Sequence, residues 1–210
     1  MSNVACDRPP SYNQRMSNQL GEISLDNMDR AVERVRERLW RATAALEQSA
    51  VPYAVIGGHA IAASISRVDQ TLVRYTRDVD LLVRRADFAR VKAALESAGF
   101  VSRHSAGVEM FLEGAAGKAR DAVHVLFAGE KVRDDDLYPA PDIEPFDRSE
   151  RFRFVALESI VRMKLTSFRL KDQVHLQDLI QAGLIDDSLI ARLPADLAAR
   201  LKPLIDNPNR

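Results

Sequence analysis

Asp78 and Asp80 stand two residues apart at the start of an apolar run, Val79-Asp80-Leu81-Leu82-Val83. Alternate side chains of an extended strand share a face, so Val79, Leu81 and Val83 fall on one side and both carboxylates on the other. Carboxylates so spaced can reach one divalent cation, and Mg²⁺ takes oxygen ligands of this kind. An isolated Asp-X-Asp is more often a solvated strand edge. Here the apolar run predicts a central strand, where spare carboxylates are costly unless used. Upstream, Tyr53-Ala54-Val55-Ile56 runs directly into Gly57-Gly58 and then into His59-Ala60-Ile61-Ala62-Ala63-Ser64-Ile65. Strand, glycine pair and helix in that order leave free backbone N–H groups at a helix N-terminus, where a phosphate binds. A glycine pair alone more often makes only a tight turn.

The elements that must position these residues follow from spacing. Met28, Val32, Val35, Leu39, Ala42 and Leu46 predict an amphipathic helix of about twenty residues, capped by Asp26 or Asn27. Pro52 separates it from the first strand. Ala86 to Ala98 reads as a second amphipathic helix, ended by Gly99. Strands are expected over Phe100 to Arg103, Val108 to Glu113 and Asp121 to Phe127. In the last of these, His124 falls with Ala122 and Leu126 on the face opposite Val123, Val125 and Phe127. Helices are then expected over Leu157 to Leu170 and Val174 to Ala182, with a final pair across Ser188 to Ile205 interrupted at Pro194.

With 210 residues, 46% apolar and 29% charged, the composition is that of a globular chain with its own core and excludes a disordered or collagen-like one. Thirty basic and thirty acidic side chains cancel, so no bulk field draws the protein to nucleic acid or membrane, and any nucleic-acid contact must use a local patch. The single cysteine, Cys6, excludes a disulfide scaffold and suits a reducing cytoplasm. No apolar run is long enough to span a membrane. Four regions are expected: a disordered tail over 1–24, an α/β core over 25–133, an acidic connector over 134–150 and a helical part over 151–210. The connector holds seven acids against Arg148, a net of −6, whereas Arg151 to Asp172 carries six bases against two acids, a net of +4.

Three stretches in this order resemble the nucleotidyltransferases of the DNA polymerase β-like superfamily, and within it the AbiEii/AbiGii-type toxin branch. They are Val55-Ile56-Gly57-Gly58-His59-Ala60, then Arg74-Tyr75-Thr76-Arg77-Asp78-Val79-Asp80. The third is Met163-Lys164-Leu165 with Arg169-Leu170-Lys171-Asp172 and Leu176-Gln177-Asp178-Leu179. The resemblance implies a nucleotidyltransferase fold, a mixed β-sheet flanked by helices (α+β), with a C-terminal helical part. It implies that Gly57, Gly58 and His59 cradle the triphosphate of an NTP and that Asp78 and Asp80 hold Mg²⁺. Lys164 is implied at the β- or γ-phosphate, Thr76 beside the two acids with Arg74 as a buttress, and Asp172 in the nucleotide-binding set. Phosphoryl chemistry of this kind needs in-line geometry and cations on the attacking and leaving oxygens.

The family pattern has a third carboxylate on a later strand, and by strand parity that position here is His124. A neutral imidazole accepts a proton near pH 7 but supplies no negative oxygen to a second Mg²⁺. One-metal transfer with a histidine base, slow transfer, and nucleotide binding without turnover all stay open, as does a purely structural His124. His175 and Asp178, three residues apart on one helix, are close enough to touch. The implied activity moves a nucleoside monophosphate from an NTP to an acceptor: a tRNA 3′ end, a protein hydroxyl or a small molecule. In a toxin–antitoxin or phage-defence setting the partner would be a cognate antitoxin. The alternative is a non-catalytic nucleotide- or RNA-binding module.

Overall fold

The structure, a computed structural model, describes residues 25–207, so the expected tail over 1–24 lies outside the described residues. The chain divides into compact units over 1–34 and 35–210. Helix α1, Leu25–Gln48, supplies the described part of the first unit and continues into the second. It starts ahead of the expected caps, so Asp26 and Asn27 fall in its first turn.

In the second unit, strand β1 (Ala54–Ile56) leads straight into α2 (Gly57–Ser66), and β2 (Val79–Val83) leads through a short 3₁₀ turn into α3 (Phe88–Ser97). Strands β3 (Phe100–Ser105) and β4 (Val108–Glu113) form a hairpin, and β5 (Val123–Phe127) follows. Two three-residue strands, β6 (Phe146–Arg148) and β7 (Arg153–Val155), precede helices α4 (Leu157–Ser167), α5 (Leu170–Gln181), α6 (Asp187–Ile190) and α7 (Ala195–Asp206). All seven strands make one mixed sheet in the order β3-β4-β5-β2-β1-β7-β6. Strand β2 is central, parallel to β5 and antiparallel to β1. Its apolar residues explain why: Val79, Leu81, Leu82 and Val83 are fully buried, as a strand covered on both faces requires.

Three expectations are corrected. Asp78 stands one residue ahead of β2, and Asp121 lies in a 3₁₀ turn ahead of β5. The stretch expected as one helix to Leu170 breaks at Phe168, whose left-handed φ of 45° ends α4 and lets α5 begin at Leu170, ahead of Val174. Strands β6 and β7 were not foreseen; β7 pairs with β1 through Val55 and Phe154, so residues around the expected connector boundary belong to the sheet. Within the connector Ala140 and Ile143 are buried, and Asp142 and Asp147 pair with Arg84 and Arg67. Apolar anchoring and neutralised charge explain why this acidic stretch packs on the core.

Candidate active site

Gly57 ends β1 and opens α2 with φ of +68°, a conformation that favours glycine. A Cβ on Gly57 would lie 2.2 Å from Asp80 Oδ2, and one on Gly58 would lie 2.7 Å from Thr76 Cβ. The glycine pair is therefore more than a turn. It lets the Asp80 carboxylate and the Thr76 side chain sit against the start of a helix that no side chain caps at its N-terminus. Strand register sets the rest of the row: Ile56 on β1, Asp80 on β2, His124 on β5 and Met110 on β4 are consecutive partners across the sheet.

The Asp80 and His124 side chains meet, with Nδ1 3.4 Å from Asp80 Oδ1. That contact raises the His124 pKa above the ordinary imidazole value against the opposing effect of burial, with further support from Asp78 and the Ala119 backbone. Asp78 pairs with Lys171 of α5 at 3.6 Å. Both carboxylates act on the same neighbour: burial pushes His59 down to about 4 although Asp80 and Asp78 pull the other way. His59 Nε2 is buried without a hydrogen-bond partner.

A cavity of about 340 Å³ opens beside this row, lined by Gly57, Asp80 and His124 and also by Lys164 and Arg169. Lys164 Nζ is 2.9 Å from Asp172 Oδ1. The Asp172 carboxylate is buried, which by itself would raise its pKa, yet Lys164, Arg169 and Ser167 outweigh burial and hold it down to about 2. Ser167 Oγ donates to it at 2.8 Å, and the Arg169 backbone N–H at 3.2 Å closes the first turn of α5. With no exposed surface and its oxygens occupied, Asp172 stands behind Lys164; it does not line the cavity.

Asp178 and His175 do not pair as expected. Asp178 is buried, accepts from Arg74 Nε at 2.9 Å, and has its pKa raised by burial. His175 Nδ1 is buried without a partner, and burial with Lys164 and Lys171 pushes its pKa down to about 4. Arg74 thus ties the segment ahead of β2 to α5, and Lys171 ties Asp78 to the same helix. The Lys171 contact was missed because nothing in the spacing of charges places α5 beside residue 78. Arg38 of α1 is buried, donating to the Arg77 carbonyl at 3.3 Å and to Glu113 at 2.8 Å.

The donor set fits a hard cation that brings further ligands with it. Among the described residues no group of three or more His, Cys, Asp or Glu is arranged to hold a metal. Of the two carboxylates, Asp80 lies against the uncapped helix start and lines the cavity, whereas Asp78, paired with Lys171, does not line it; a cation there would take its remaining oxygens from a ligand.

Known proteins are similar to this chain in fold and in family. The crystal structure of JHP933 from Helicobacter pylori aligns with a TM-score of 0.50 and 17% identity over 85% of this chain and 75% of that one, which shows the nucleotidyltransferase fold. ANT(2″)-Ia, solved with adenylyl-2″-tobramycin, aligns at TM-score 0.47 and 16% identity over 81% and 95%. An antigenic nucleotidyltransferase-like protein from Paracoccidioides brasiliensis aligns at 0.48 and 18% over 81% and 88%. No curated protein matches. Residues 5–151 match the family described as "Uncharacterised nucleotidyltransferase", and the chain belongs to that family. The matched span includes Gly57, Asp78, Asp80 and His124; Lys164 and Asp172 lie beyond it.

Two outcomes follow. Gly57→Ala is expected to displace Asp80, lowering stability by about 1–3 kcal/mol and weakening metal-dependent NTP binding by about tenfold or more. Gly99, also at positive φ but facing open space, is the control: Gly99→Ala should lower stability alone. Denaturant unfolding and NTP titration of both variants check this. The second outcome concerns acid. His59 and His175 titrate near 4 in the fold and near 6.5 when unfolded, so the unfolded chain binds more protons between those values. Stability should be full above about pH 6.5 and decline as pH falls through 4. His175→Gln should flatten that decline in unfolding curves taken at stepped pH.

Proposed function

We propose that this nucleotidyltransferase binds an NTP with Mg²⁺ in the cavity beside Asp80 and transfers its nucleoside monophosphate to an acceptor hydroxyl. The observation that carries the reading is the Asp80 carboxylate held against the Gly57 turn, in a cavity that Lys164 also lines. In the transfer, the acceptor oxygen bonds to the α-phosphorus, the bond to the bridging oxygen breaks, and pyrophosphate leaves with that electron pair. Asp78 and Asp80 would hold Mg²⁺, which when bound neutralises charge on the phosphate oxygens. The helix α2 start offers N–H groups to phosphate, with Gly57 and Gly58 allowing close approach and Thr76 and His59 packing behind them. Lys164, oriented by Asp172, meets the leaving phosphates as a point charge. His124, held by Asp80, takes the acceptor proton when neutral.

The residue pattern supports an AbiEii/AbiGii-type toxin with a tRNA 3′ end or a protein hydroxyl as acceptor, restrained by a cognate antitoxin; a small-molecule acceptor suits the same chemistry. The division of labour we propose places catalysis in the α/β core over 25–133 and phosphate contacts in the helical part over 151–210. A second reading, a nucleotide- or RNA-binding module without turnover, is favoured by one observation: His124, which the resemblance implies in place of a third carboxylate, lies beside Asp80 as an imidazole.

Purified protein incubated with each labelled NTP, Mg²⁺ and total tRNA separates the two: pyrophosphate release supports transfer, and binding without release supports the module. Asp78→Asn and Asp80→Asn are expected to abolish metal-dependent binding or transfer in proteins whose circular dichroism is unchanged; wild-type transfer by either removes the metal assignment. Lys164→Ala should raise KM for all four NTPs alike, and a loss confined to one base would take Lys164 off the phosphates. His124→Asp should raise the rate if that position takes a metal ligand. A fall in melting temperature with no gain in rate would mark His124 as structural.

A further inference from the structure

One carboxylate in the cavity has no role in the chemistry above. After β5 the chain folds back on itself, with the Gly129 N–H donating to Ala140 O at 3.0 Å and the Ala140 N–H to Glu130 O at 2.8 Å, closing a loop over 131–139. Inside that loop the Asp136 N–H donates to Arg133 O at 3.1 Å, and the Arg133 N–H donates to Asp136 Oδ2 at 3.0 Å. Asp136 is only 8% exposed, yet it lines the same cavity as Asp80, His124 and Lys164, in company with Leu126, Val132 and Tyr138. Most buried acids of this protein are matched by a cation: Asp172 has Lys164 and Arg169, and Asp178 has Arg74. Among the described residues no cation pairs with Asp136, and the backbone bond from Arg133 uses only part of its accepting capacity. Its spare accepting capacity therefore opens on the cavity, where a ligand's donors can complete it.

We infer that Asp136 is a specificity-determining residue of this cavity, accepting a pair of donors on neighbouring atoms of the bound nucleotide. The inference rests on the reading that an NTP occupies the cavity. An ionised carboxylate has two oxygens and only accepts, so its best partner offers two adjacent donors. An NTP carries such a pair in two places: the N1–H and N2–H₂ of guanine, and the 2′- and 3′-hydroxyls of ribose. The edges of adenine, cytosine and uracil do not carry adjacent donor atoms. A site built to accept such hydrogens rejects an analogue that lacks them, because the buried acceptor is then left unpaired.

Calorimetric titration of GTP, ITP, ATP, CTP, UTP and 2′-deoxy-GTP with Mg²⁺ into wild type and Asp136→Asn tests this. The asparagine keeps a carbonyl oxygen for the Arg133 N–H, so the turn survives, while an NH₂ replaces the second acceptor. The variant is expected to lose at least about tenfold in affinity for the matched ligands. Loss for GTP and 2′-deoxy-GTP with ATP unchanged assigns the donors to guanine, and ITP, lacking the 2-amino group, should then already bind wild type more weakly than GTP. Equal loss for all ribonucleotides with 2′-deoxy-GTP spared assigns them to ribose. Wild-type affinity of the variant for every nucleotide, or a uniform loss that includes 2′-deoxy-GTP and accompanies a lower melting temperature, overturns the inference. If wild type binds none of the six, the proposed function fails and this inference with it.

Discussion

The site depends on one close approach, a carboxylate packed against a backbone that has no side chain. Asp80 lies in the central strand, between Val79 and Leu81, which are fully buried. A charge at that position is tolerable only if the fold provides partners, because an unpaired ionised group in an apolar setting is strongly unfavourable. Gly57 provides the space, since any Cβ would meet Asp80 Oδ2 at 2.2 Å. His124 provides a partner from the neighbouring parallel strand at 3.4 Å, and Asp78 takes Lys171 from outside the sheet. These contacts are partly exposed and weak individually, as the exchange of partners in the proposed function requires.

The Lys164 side of the cavity is organised by Asp172 on a different principle. Its carboxylate, on α5, is fully buried and held by Lys164 and Ser167 of α4 and by Arg169 of the turn between the two helices. Removing one member of such a cluster leaves a buried charge uncompensated, so the cluster locks the geometry of the α4–α5 corner more than it adds stability. Phe168, left-handed at the corner, is what brings Ser167 and Arg169 to the same carboxylate. The consequence is that Lys164 enters the cavity from a rigid base. A flexible lysine loses several rotors on meeting an anion; one already held at 2.9 Å by Asp172 has lost them in folding.

Much of this was legible because it is local. The run from Val79 to Val83 announces a buried central strand, and parity puts His124 on the face opposite Val123, Val125 and Phe127; the register with β2 then sets it beside Asp80. The strand–glycine–glycine–helix order announces the α2 turn, although only the three-dimensional contact of Gly57 with Asp80 shows why glycine is required. The break at Phe168 was hidden, since neither glycine nor proline marks it and the apolar spacing continues through it. Strands β6 and β7 were hidden for a related reason: three residues are too few to display a period of two. Contacts between distant segments, such as Arg74 with Asp178 and Lys171 with Asp78, follow from how α5 docks, and no spacing along the chain encodes that.

The charge pattern acquires direction once these contacts are known. The net charge of zero hides an acidic stretch over 134–150 and a basic one over 151–172, and both contribute walls to the cavity. On the acidic side Asp142 and Asp147 are answered by Arg84 and Arg67, which thins the negative field there. On the basic side Arg169 and Lys171 remain 53% and 65% exposed although each touches a carboxylate. If the cavity takes an NTP as proposed, the exposed bases at the start of α5 favour its phosphates there, whereas the loop over 131–139 presents Asp136 and Arg133 together and favours neither end. The basic side alone then sets the direction of approach, and the fit is left to the groups that line the cavity.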